Sequence, residues 1–312
     1  MTVISDQLLR YRSWRGELHG PGYASLAMAR VSLRMMLRRK LFWGLYALAL
    51  MVFFFFFYGQ YLVVWIQQQT ASQTIFFGGI PIKLDNLTKF LDRLHLNGSA
   101  HTFGNLIWFQ GYISMIVLAL AGSVLIGNDF HHGSLPFYLS KPISRWHYFL
   151  GKCLGIALFV NLLTTIPALV LFVQAGLLYD WKSYYLDHFR QFAGILGYGA
   201  VLTVSLSLLL MATAVWVRRT VPLMMVWTGL FVLCRMLAGF LVDGQQLSPR
   251  WRLIDLWNNY YLLGLWCLDA DRGTIRPAAQ PAFVEAFLAV VIVAIVCLGY
   301  LRRRIQAVEI IG

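Results

Sequence analysis

Long apolar runs separated by short polar intervals dominate the chain. Six runs carry almost no charge, at 41–66, 106–127, 153–178, 192–217, 221–242 and 283–301. Each is close to the roughly 20 residues that a helix needs to cross the apolar layer of a bilayer. They are apolar on every face, whereas the strands of a membrane barrel alternate apolar and polar over about 10 residues. The pattern predicts an all-α polytopic membrane protein: an N-terminal segment 1–40, a six-span transmembrane domain 41–301 and a short tail 302–312. The first run starts only at residue 41 and is too long for the apolar part of a cleavable signal, so it is expected to stay in the protein.

The polar intervals carry patterns of their own. After Gly20-Pro21-Gly22, apolar Leu26, Val31, Leu33, Met36 and Leu37 interleave with Arg30, Arg34, Arg38 and Arg39, which predicts a basic amphipathic helix before the first span. Two readings fit it: a charge cluster that sets topology, or a connecting helix that uses Arg30, Arg34 and Arg38 to meet a partner. In 67–105, Leu84, Leu87, Leu91 and Leu94 share one helical face and predict a short outer-loop helix, with Asn97-Gly98 as its stop. Asn86 and Asn97 each open a three-residue glycosylation pattern, a weak signal. The interval 243–281 is rich in aromatics (Trp251, Trp257, Tyr260, Tyr261, Trp266), suiting an interfacial belt or a re-entrant element.

Composition sharpens the class. Only 12% of the 312 residues are charged and 59% are hydrophobic, with a mean hydropathy of +0.65, which excludes a soluble globule at about 25% charged. The net charge of +13 is unevenly placed: sixteen Lys and Arg fall in the N-terminal segment, the second and fourth connections and the tail, and nine in the others. Basic loops remain on the cytoplasmic side. Both termini are therefore expected to be cytoplasmic, and anionic lipid headgroups account for the high pI without nucleic acid. The four cysteines have no paired spacing and predict neither disulfides nor a zinc site.

Catalytic chemistry is sparse. The sequence holds no phosphate-cradling G-x-x-x-x-G-K-[ST] loop, no H-E-x-x-H and no G-x-S-x-G. His131 and His132 are adjacent, so on a helix they point about 100° apart and make poor joint ligands; no metal site is expected. Ionisable residues inside spans are expensive and mark function. Only Arg235 lies well inside one, and Glu285 lies near the end of another. Arg235 is expected to pair with Glu285 or to snorkel, with contact to an anionic headgroup as the other reading. Asn161, Thr164 and Thr165 are polar enough to line a path, although hydrogen bonding between helices is the commoner role.

The most specific stretch is the connection 127–152. Asn128 or Asp129 suits a helix cap, Gly133 and Pro136 break the chain, Pro142 fixes a turn, and Ser144 caps the third span. Here the order Asp129, Gly133-Ser134-Leu135, Leu139-Ser140-Lys141-Pro142-Ile143-Ser144-Arg145, then Tyr148 and Gly151-Lys152, resembles the ABC-2 type permease family. His131 and His132 stand where family members often carry charged residues.

The resemblance implies the six-span subunit of an ATP-binding-cassette exporter in a bacterial cytoplasmic (inner) membrane. It implies a coupling loop at Asp129, Phe130, His131, His132, Gly133, Ser134, Leu135, Lys141, Pro142, Ser144 and Arg145. It also implies that energy comes from a separate ATPase, which holds ATP and Mg, while this chain binds no cofactor, is no enzyme and pairs with a second copy of itself. A membrane scaffold or signalling subunit driven by an ATPase is the alternative; a membrane-embedded enzyme lacks its constellation. The cargo is not legible.

Overall fold

The computed structural model describes residues 20–67, 74–77, 80–83, 95–127, 129, 144–179, 181–270, 277 and 279–304. Six helices contain the six apolar runs: Lys40–Gln67, Ala100–Gly127, Arg145–Leu178, Phe189–Val217, Thr220–Gly244 and Phe283–Arg304, spans one to six. Apolar surroundings leave backbone groups no partner but their own helix, which is why runs of this length become helical. The all-α class holds with one addition. Thr74–Phe77 (β1) and Ile80–Lys83 (β2) form an antiparallel hairpin with Thr74 opposite Lys83 and Phe77 opposite Ile80. Leu84, Leu87, Leu91 and Leu94 lie outside the described residues.

Spans two and four form the centre: Leu106, Ile107, Leu118, Leu202, Leu206 and Leu210 are fully buried. Spans one, five and six surround them and leave Met51, Phe55, Leu233, Met236, Ile295 and Val296 exposed. Amide side chains tie the interior. Gln110 Nε2 donates to the Ala49 carbonyl at 2.7 Å and Gln174 Nε2 to the Phe57 carbonyl at 2.9 Å, joining spans two and three to span one. Such bonds contribute where water cannot compete.

Two spans are irregular for identifiable reasons. Span three breaks at Thr164 (φ −110°), between helices Arg145–Leu163 and Thr165–Leu178. Pro167 lacks the N–H that would bond the Leu163 carbonyl, and its ring crowds that carbonyl. Span five contains two widened π turns, Gly229–Leu233 and Phe240–Gly244. Such turns carry an extra residue and recur at functional sites.

Between spans five and six the chain dips back into the bundle. A 3₁₀ turn, Pro249–Ile254, leads to helix Leu256–Cys267, which packs on spans two, four and six. Asp255 caps it, its Oδ1 accepting from the N–H groups of Trp257 (3.0 Å) and Asn258 (3.1 Å). The Trp257 ring lies so close to Gly111 that a Cβ there would be 2.8 Å from it, and Leu265 faces Gly104. Gly111 is eleven residues inside span two. The helix therefore starts deep in the bundle and rises to its edge, so of the two readings of 243–281 the structure has the re-entrant element.

Candidate functional site

The connection 127–152 begins and ends at one end of the bundle, the end that also carries Arg218 and Arg302. Asn128 and residues 130–143 lie outside the described residues, so Phe130, His131, His132, Gly133, Ser134, Leu135, Lys141 and Pro142 have no structural account. Their neighbours do. Asp129 follows span two, and its Oδ2 lies 2.7 Å from Lys152 Nζ and accepts from the Tyr148 hydroxyl at 2.9 Å. Lys152 also donates to the Leu125 carbonyl and sits 5.7 Å from the centre of the Tyr148 ring. The pair is removed from water, with side-chain exposures of 9% for Lys152 and 14% for Asp129. The Asp129 carboxylate fastens span two to span three; the short helix that Asn128 or Asp129 is expected to cap lies outside the described residues. Tyr148 and Lys152, four apart on one helical face, complete the site.

Ser144 caps span three as its position predicts, accepting from the His147 N–H and bonding His147 Nδ1 at 2.6 Å. Arg145 is exposed and lines a cleft of about 310 Å³ with Trp146, Phe149, Leu298, Leu301 and Arg302, between spans three and six. On the other side the end of span two meets the turn into span five: Ser123 and Thr220 hydroxyls are 2.5 Å apart. Gly127 lies against the Arg218 carbonyl, and Arg218 takes a left-handed conformation (φ 56°) that ends span four.

The N-terminal helix is Pro21–Leu37. Its inner face, Ala29, Ser32 and Met36, is buried, and Arg30, Arg34 and Arg38 face outward. It lies along the first half of span three, with Ser25 Oγ donating to the His147 carbonyl at 3.0 Å. Gly151 and Gly155 permit this approach: a Cβ on Gly155 would be 2.8 Å from Ser32 Cβ, and one on Gly151 would be 3.0 Å from the Ser25 carbonyl oxygen. Gly151 and Gly155, four apart, form a small-residue pair of the kind that permits close helix contacts, and here it is used within the chain.

The residues singled out as path-lining separate. Asn161 donates to Thr203 of span four at 2.9 Å and to its own Ala157 carbonyl, and it accepts from Thr165. Thr164 is fully buried and donates to the Val160 carbonyl. Both side chains are engaged in the interior of the bundle. Arg235 lies against Trp108 and Tyr112 of span two: its guanidinium is 5.2 Å and 5.6 Å from the two ring centres and donates to the Tyr112 hydroxyl. Glu285 pairs instead with Arg250, at 2.8 Å.

Six apolar helices about a polar-tied centre, with a sealed ion pair at the root of one connection, define an integral membrane protein whose spans are joined at one end. The family described as ABC-2 family transporter protein matches residues 26–304. The chain belongs to that family and is a membrane subunit of an ATP-binding-cassette transporter, which implies an ATP-binding-cassette ATPase as its partner. No curated protein matches the chain.

Proposed function

We propose that the chain is the permease subunit of an exporter in a bacterial cytoplasmic membrane, with both termini and the 128–149 connection facing the cytoplasm. A separate ATPase binds there, holds ATP and Mg, and drives two copies of the permease. The observation that carries the reading is the Asp129–Tyr148–Lys152 cluster. It lies at the two roots of the connection whose motif resembles the coupling element of this family. Because it fastens spans two and three together, movement of that connection reaches both at once. The N-terminal helix, packed on the same stretch of span three, adds a second basic surface for the partner.

The test uses the permease and its ATPase reconstituted together. Asp129→Asn is expected to lower the melting temperature yet still assemble with the ATPase below it, where it loses stimulation of ATP turnover by cargo, while Arg145→Glu is expected to weaken co-purification. Parent-like behaviour of both variants, or ATP hydrolysis by the permease alone, overturns the reading.

A further inference from the structure

The half of the bundle away from Asp129 contains two chambers that meet at Arg235. One, of about 580 Å³, is the more polar of the two: Asn105, Asp243, Arg252, Asp255 and Asn258 share its wall with aromatic side chains such as Phe55, Phe56 and Trp257. The other, of about 480 Å³, is an apolar groove that Tyr112, Phe231, Val232 and Met236 help to line. Trp108, Phe109 and Arg235 belong to both. Arg235 is nine residues from the end of span five, about 13 Å at 1.5 Å per residue, which puts it within the apolar layer.

Two arginines and two acids line the polar chamber, and of the arginines only Arg235 has no carboxylate within ion-pair distance among the described residues. Arg252 is buried and holds both oxygens of Asp243, at 2.6 and 2.7 Å. One oxygen of the Asp255 carboxylate, Oδ1, accepts from two N–H groups at the start of the re-entrant helix, whose dipole also favours a negative charge there. Arg235 takes part in none of the ion pairs among the described residues. It rests on two aromatic faces and a phenol oxygen, an arrangement that orients a guanidinium while leaving its remaining N–H groups available.

We infer that the paired chambers bind an amphiphile with an oxyanion headgroup, such as a phosphate ester, and an aliphatic tail. The anion bonds Arg235, the rest of the headgroup occupies the polar chamber beside Asn105 and Asn258, and the tail lies along Phe231, Val232 and Met236. A free anion uses one chamber only, and a neutral hydrocarbon gives the arginine no anionic contact in a low-dielectric setting. As the cargo class of the exporter this rests on the function proposed above; as a binding site it does not, because its test uses the permease alone.

The measurement is binding of a tail-labelled fluorescent phosphatidylglycerol to the purified full chain in mild detergent. Unlabelled phosphatidylglycerol, diacylglycerol and glycerol 3-phosphate serve as competitors. Phosphatidylglycerol is expected to compete, with diacylglycerol and glycerol 3-phosphate each at least about tenfold weaker, the loss that follows removal of a charge-assisted bond or of the tail. Arg235→Gln, at an unchanged melting temperature, should lose about tenfold, Arg235→Lys less, and Met236→Trp should weaken binding by filling the groove. Arg250→Gln, which touches neither chamber, should bind as the parent does. Three results overturn the site: parent-like affinity in both Arg235→Gln and Met236→Trp, equal competition by diacylglycerol, or equal competition by glycerol 3-phosphate, the last marking a free-anion pocket. Any of them leaves the ATPase test standing, and failure of that test leaves this one standing.

Discussion

Lys152 shows how far one residue can be read. In the sequence it ends an apolar run, so span three is expected from 153; in the structure it is neutralised by Asp129, and the helix continues back to Arg145. A lone charge stops an apolar count, but its partner, 23 positions away, is invisible to periodicity. Removing one member of a buried pair strands the other and costs about 3–5 kcal/mol, whereas replacing both by apolar groups is often neutral. Lys152→Met should therefore lower the melting temperature in detergent markedly, and Asp129→Leu together with Lys152→Met should recover most of it. Equal melting of the single and double variants would mean that the pair is not electrostatically closed. Arg235 and Glu285 teach the converse: two charges in apolar stretches invite pairing, yet Arg250 takes the glutamate.

At the scale of elements, the amphipathic pattern of 20–40 predicts a helix, and a helix is present over Pro21–Leu37. What it rests on was legible only in part: Gly151 and Gly155 are recognisable as a contact face, without saying for which neighbour. Gly155→Leu should push this helix off span three and expose its peptide bonds to protease, since cleavage requires local opening. Trypsin cleavage after Arg30 or Arg34 is expected to accelerate about tenfold or more, as loss of ~1.4 kcal/mol of local stability would give. The re-entrant helix was harder to place, because aromatic residues suit an interface and an interior equally. Asp255 was the available cue, an acid just ahead of an apolar stretch. Asp255→Ala removes two N–H partners deep in the bundle and should cost about 0.5–2 kcal/mol, seen as a lower melting temperature. The hairpin at 74–83 did have a cue in the sequence, two glycines at 78 and 79 between β-prone Thr74–Phe77 and Ile80–Lys83, which a reading centred on long apolar runs passes over.

For the whole molecule, the apolar runs specify the number of helices, and the bias of basic residues specifies a direction. Cysteines introduced at Ser248 and at Gln280 should react with an impermeant reagent from outside intact cells, and one at Arg304 only after permeabilisation. The reverse labelling would invert the protein in the membrane. The arrangement of the spans was not in the pattern, because every face of each run is apolar; it is set by Gln110, Gln174, Asn161 and the glycine contacts. The break at Thr164 has a mechanical meaning at this scale. An unbroken rod of 34 residues, about 51 Å long, would carry a push at Arg145 directly to Leu178. With a joint part-way along, the segment clasped by the N-terminal helix and the segment held to Phe57 by Gln174 answer to different neighbours. On the proposed function, span three is expected to work as a jointed strut, a stroke delivered at its base reaching the far arm as a change of angle.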